Sequence, residues 1–220
     1  MKRFLLLLLT LALAVAALPA CKKDGEAELP TFSLTEDGYG YVNDKTGVVY
    51  TAADFCYQSI ATGEAVGTYT HKKTGYVHTL YRINGLDPEK YLTDEDGSVW
   101  CAGVTISDPQ SWTLQSVIFC EEDAVSVEAN RFSKGTDDNA IAEVCRLWFS
   151  GEEIEKPTAE LLKFRSVKLV SEELPQICYT FDFYLYEDGG AVFFELFSGR
   201  CVAVPSALIE KIVPTESEAA

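Results

Sequence analysis

The sequence predicts an α+β protein, mainly antiparallel β-sheet, with one main helix at about residues 137–150 and a short C-terminal helix. Three observations carry this. Short runs of aromatic and β-branched residues recur around turn-forming clusters. One segment alone has a clean helical period. A long aromatic stretch near the C-terminus alternates with a period of two.

The elements follow in order. "GYGYVNDKTGVVYTA" has two strand-like arms around Asn43 to Gly47, a hairpin signature. "GTYTHKKTGYVHTLYRI" repeats the plan around Lys72 to Gly75. "YLTDEDGSVWCAGVTI" offers a turn at Asp94 to Gly97 and then a strand, and "LQSVIFC" reads as another. The shared "KTG" is turn chemistry rather than an internal repeat.

"TDDNAIAEVCRLWFSGEE" is the helix. Ile141, Val144, Cys145 and Trp148 fall at i, i+3, i+4 and i+7, one apolar stripe. Thr136 or Asp137 suits its cap, and Asp137 and Asp138 suit the positive end of its dipole. Gly151 is a natural stop. "ELLKFRSVKLVSEE" alternates as a strand. "QICYTFDFYLYEDGGAVFFELFSGRCVAVP" then reads as a three-strand meander, with Ile177, Tyr179, Phe181, Phe183 and Leu185 on one face. Pro205 opens the short helix "PSALIEKI".

The N-terminus carries an address. Lys2 and Arg3 precede an apolar run from Phe4 to Ala17, broken only by Thr10. That is the layout of a secretory signal peptide, and it is short for a membrane span of about 20 residues. Leu18-Pro19-Ala20-Cys21 resembles the lipobox of bacterial lipoproteins: an aliphatic residue, a tolerant position, a small residue, then cysteine. The resemblance implies cleavage after Ala20 and lipid on the Cys21 sulfur, and says nothing about activity. Two acyl chains anchor stably where one does not, and Lys22 and Lys23 suit an anionic headgroup layer.

The expected organisation is a signal peptide at 1–20, a lipidated tether at 21–37, and a folded region at 38–213 with a subdivision near residue 130. A frayed tail at 214–220 follows. The expected localisation is a cell membrane, on its non-cytoplasmic side.

Composition bounds the partners. Lys and Arg number 18 against 34 Asp and Glu. Losing a leader with two bases and no acids leaves 16 against 34, a net charge of −18. Such a chain repels polyanions, and no basic stripe exists for phosphate, so nucleic acid is excluded as a partner. Of seven cysteines, six lie beyond Cys21. Their spacing matches neither a zinc site nor a redox pair, and their apolar neighbours suit buried thiols.

Candidate chemistry is sparse. His71 and His78 flank one hairpin. They share a sheet face if its loop has four residues, and a metal pair would further need a carboxylate. Asp94 to Gly97 reads as an acidic turn rather than a calcium loop. The pairs Glu121-Glu122, Asp137-Asp138, Glu152-Glu153 and Glu172-Glu173 border turns or helix ends and read as solvated. No nucleophile elbow or phosphate loop appears. Catalytic and metal residues are therefore expected to be none, with no cofactor. The remaining candidates for ligand binding are Tyr184, Tyr186 and Asp182, on the face opposite Phe181 and Phe183. If open, that face suits a sugar or peptide; if covered, it is core. The expected function is a membrane-tethered lipoprotein, non-enzymatic, binding a protein, peptide or small ligand. The alternative is an envelope hydrolase whose site is assembled from distant residues.

Overall fold

The structure, a computed structural model, describes residues 29–53, 56–121 and 127–213. The leader, the Cys21 motif and the tail at 214–220 lie outside the described residues.

The mixed, β-rich composition read from the sequence is found, but the strands do not make one antiparallel sheet. Seven close into a barrel: β1 (Thr31–Leu34), β2 (Gly40–Asn43), β3 (Val49–Ala52), β5 (Thr62–Thr70), β6 (Val77–Ile83), β7 (Tyr91–Thr93) and β8 (Val99–Cys101). Their order around it is β1-β2-β3-β8-β7-β6-β5. The closing pair, β1 with β5, is parallel, with Phe32 opposite Tyr69. Residues 31–34, assigned from sequence to the tether, are thus the strand that seals the barrel. Five of the seven strands have only three or four residues, and closure pairs the edges that an open sheet would leave bare.

Gly67 permits the seal. A Cβ there would run into the Phe32 ring and come within 2.8 Å of the Pro30 carbonyl oxygen. The β5–β6 register also shifts twice, between Thr62 and Ala65 and between Ala65 and Gly67. Such bulges increase local twist and bend a strand. Phe32, Tyr41, Tyr50, Tyr69, Leu80 and Leu92 fill the interior.

The second sheet runs β10 (Glu128–Ser133), β9 (Leu114–Glu121), β11 (Leu161–Ser171), β12 (Ile177–Tyr186), β13 (Ala191–Phe194) and β14 (Cys201–Ala203). Its neighbours are all antiparallel, and the expected meander is β12-β13-β14. The chain passes from barrel to sheet between residues 102 and 113. Asn130, where the sequence suggested a subdivision, sits inside β10, paired with Phe119.

Helix α1 (Asp138–Ser150) covers one face of this sheet. Ile141, Val144 and Trp148 of the expected stripe are buried, and Cys145 is half-buried. The Trp148 ring lies flat on Phe181, centroids 4.1 Å apart and planes 7° apart. Asp137 is the cap residue, but its carboxylate accepts from the Ser133 backbone N–H rather than from the helix. The cap thus fixes the approach from β10. Helix α2 (Ser206–Ile212) docks through Leu208 and Ile212. The buried Arg165 guanidinium donates to the Ile212 carbonyl and, at 3.2 Å, to Glu121.

The two units meet across a third apolar cluster of Tyr57, Ile83, Val99, Cys101, Ile106 and Ile177. Strand β4 (Tyr57–Ser59) ties them together. It lies in sequence between barrel strands β3 and β5, yet pairs with β12 of the other sheet. Ser59 N–H donates to the Gly97 carbonyl of the barrel and Ile60 N–H to the Gln176 carbonyl of the sheet.

Candidate binding cleft

The crossing of β4 leaves a cleft of about 630 Å³ at the junction. That lies within the range of small-ligand sites, about 300–1,000 Å³. Four separate stretches line it: the end of β3 with β4, the 101–110 segment leaving β8, the C-terminal turn of α1, and β12.

Its wall is aromatic. Tyr57 packs edge-on to Tyr179, with centroids 5.6 Å apart, and Phe149 lies 6.4 Å from Tyr179. Phe149 and Tyr179 are half-buried, so their rings keep surface for a ligand. Behind them, Tyr57 lies 5.9 Å from Trp112. The Tyr57 hydroxyl donates to the Ser107 carbonyl at 3.2 Å, and Trp112 Nε1 donates to the same carbonyl at 3.0 Å. Both rings therefore hold the 101–110 segment in place.

Its rim is polar. Asp108 opens a short 3-10 helix, Pro109–Ser111, and one carboxylate oxygen accepts from the Gln110 N–H at 2.9 Å. Asp108, Gln110, Thr51 and Thr105 are exposed. Among the described residues the lining holds no lysine, arginine or histidine. Burial pushes the Cys101 thiol up to about 11, so it is neutral at pH 7 and a poor nucleophile. Burial likewise lifts the Tyr179 phenol far above its usual range, so the hydroxyl stays a donor. The cleft can therefore stack and hydrogen-bond; its described lining residues offer one carboxylate and no base–nucleophile pair.

Sequence reasoning missed this cleft. Its only local signal was the turn "SDPQS", because the remaining lining residues converge through packing.

The candidates named from sequence lie elsewhere. Tyr184, Tyr186 and Asp182 do occupy the face of β12 opposite Phe181 and Phe183, but that face is largely covered. Tyr186 is buried, and its hydroxyl has no partner among the described residues. Tyr184 packs between Phe164 and Phe194, at 5.4 and 5.5 Å. The Lys156 ammonium stands 4.5 Å from the Tyr184 ring centre and 4.1 Å from that of Phe194, a cation–π cap supplied by the chain itself. Burial raises Asp182 to about 6.

The histidine hairpin takes the four-residue loop. Tyr69 faces His78, and His71 N–H donates to the Tyr76 carbonyl, so both histidines flank Tyr69. Glu95 supplies a nearby carboxylate, 4.0 Å from His78 Nδ1, but it also accepts from the Tyr76 hydroxyl and the Thr79 N–H. Among the described residues no group of three or more His, Cys, Asp or Glu is placed to hold a metal ion.

The acidic pairs serve structure. Asp94 accepts from the N–H groups of Asp96 and Ser98 and from Trp100 Nε1, which uses both oxygens in the turn. Glu121 pairs with Arg165, Glu153 with Arg200 and Glu172 with Lys134. Glu122 lies outside the described residues.

Comparison with family models, with curated proteins and with solved structures finds no match to this chain.

Proposed function

We propose that the chain is an extracytoplasmic lipoprotein, held at a membrane by lipid on Cys21, whose body is a non-enzymatic binding module. The observation that carries the anchor is the sequence Leu18-Pro19-Ala20-Cys21 between an apolar run and Lys22-Lys23. From Cys21 to the first strand at Thr31 is ten residues. At most about 3.5 Å per residue, that length reaches roughly 35 Å and keeps the body close to the bilayer. No helix among the described residues is long and apolar enough to cross a membrane.

The junction cleft supports the binding half of the reading. A hydrolytic centre working by general acid and base needs two carboxyls in distinct environments, or a carboxyl with a histidine. The described lining presents Asp108 alone, among rings, amide and hydroxyls.

Membrane fractionation of the Cys21→Ser variant tests the anchor. The variant should be released from membranes or accumulate as the unprocessed precursor, and lose incorporation of labelled palmitate. A variant processed and fractionated like the wild type would overturn the reading.

A further inference from the structure

We propose that the junction cleft binds a neutral saccharide, with one pyranose unit stacked on the wall of Tyr179 and Phe149 and its hydroxyls taken by Asp108 and Gln110. This rests on the binding-module reading and names its ligand class.

Three observations select the class. The first is charge. The cleft offers a carboxylate and no cation among its described lining residues, on a chain of net charge −16. A phosphate, sulfate or carboxylate ligand would lose its water and meet only repulsion.

The second is the mixture of surfaces. A fatty acyl chain would cover the rings but strip water from Thr51, Thr105, Asp108 and Gln110 without replacing it, which is costly. A sugar ring has an apolar face of C–H groups and an edge of hydroxyls that both donate and accept. It satisfies ring and rim together.

The third is preorganisation. The Asp108 Oδ1 atom is occupied by the Gln110 N–H, which fixes the carboxylate. Among the described residues Oδ2 has no protein partner and remains available to a pair of sugar hydroxyls. The 101–110 segment is itself held by Tyr57 and Trp112 through Ser107. Little side-chain freedom is then left to lose on binding. The cavity accepts about two pyranose units, given its volume near 630 Å³.

The test is titration of the detergent-solubilised full-length chain with cellohexaose, maltohexaose, chitohexaose and hexagalacturonate. Intrinsic tryptophan fluorescence reports binding, since Trp148 lines the cleft, with calorimetry as a second readout. Dodecanoate and a neutral decapeptide serve as other occupants. At least one neutral hexamer should saturate with a Kd in the micromolar to low millimolar range. Hexagalacturonate should bind at least tenfold more weakly.

Asp108→Ala and Gln110→Ala remove exposed side chains and should each weaken neutral-saccharide binding about fivefold or more with an unchanged far-ultraviolet spectrum. Phe149→Ala removes half of the stacking wall and should likewise weaken neutral-saccharide binding about fivefold or more. Saccharide binding indifferent to both Asp108→Ala and Gln110→Ala would overturn the proposal. So would preference for hexagalacturonate. If only the decapeptide or dodecanoate binds, and Asp108→Ala or Phe149→Ala weakens it, the saccharide assignment falls while the binding-module reading survives. If nothing binds to the folded chain, both fall.

Discussion

Replacing Asp182 by asparagine should stabilise the protein at pH 8 and leave it almost unchanged near pH 4. Burial is the largest influence on this carboxyl and raises its pKa from 3.8 to about 6. Glu195 raises it further, whereas the Tyr184 hydroxyl, donating at 3.4 Å, and the Lys156 ammonium act against the rise. The folded carboxyl therefore takes up its proton at higher pH than the unfolded one. Between about pH 4 and 6 the native state binds the extra proton, so native stability falls as pH rises through that window. Above the folded pKa the cost is fully present.

The gap of about two units corresponds to roughly 3 kcal/mol at about 1.4 kcal/mol per unit. Asp182 keeps partial access to water, which screens its charge, so about 1–2 kcal/mol is expected. Asparagine keeps an acceptor for Tyr184 and removes the buried charge. Urea unfolding of both proteins from pH 4.5 to 8 measures the difference. The advantage of Asp182→Asn should be near zero at the acid end, grow towards pH 6 and level off above it. Lys156→Met keeps the apolar stem over the rings and removes the ammonium. It should widen the advantage at pH 8, and with asparagine at 182 only the pH-independent cost of the lost cation–π contacts should remain. An Asp182→Asn protein less stable than wild type at pH 8, or a difference independent of pH, would refute the reasoning.

Further expectations concern the barrel and the thiols. Gly67→Ala forces a Cβ against Phe32 and the Pro30 carbonyl, and should cost about 1–3 kcal/mol, a fall of roughly 2–12 °C in the thermal midpoint by circular dichroism. A midpoint within 1 °C of wild type would mean that β1 does not close on β5. None of the six described cysteines is in a disulfide with another described cysteine, and burial raises Cys101 and Cys145 to about 11 and Cys178 to about 12. Iodoacetamide at pH 7.5 should therefore leave them intact for hours in the native protein and alkylate them rapidly in urea, read by mass spectrometry. Dithiothreitol should not shift the thermal midpoint, and a drop of several degrees would expose a disulfide.

Elements with local causes were legible in the sequence. The first hairpin turns where expected because Asn43 Oδ1 accepts from the N–H groups of Lys45 and Thr46 and because Gly47 adopts φ +74°. Helix α1 was legible because one stripe repeats every three to four residues, and β12 because alternation over ten residues admits a single reading. The barrel was not. Its seal joins Thr31 and Phe32 to Thr68 and Tyr69, and what permits it is a missing Cβ at Gly67. Nothing near residue 31 announces that, so "LPTFSL" read as tether.

The same distinction explains why the candidates named from sequence and the junction cleft lie in different places. Tyr184, Tyr186 and Asp182 were conspicuous because alternation put them together on one strand. Whether that face stays open depends on another segment, and Lys156, from the connection between α1 and β11, caps it. The cleft, by contrast, follows from topology. A closed barrel has no free edge to extend into a neighbouring sheet, so the two units can join only through side chains and through a strand that leaves the barrel. Strand β4 does this: Thr180 donates to the Cys56 carbonyl through both its N–H and its hydroxyl, and Cys178 lies opposite Gln58. The departure displaces Tyr57 from the barrel wall onto Tyr179 and opens the space that the 101–110 segment borders. The cleft lies where β4 crosses. Its aromatic wall and a rim whose one charged group among the described residues is Asp108 are what this sequence supplies there.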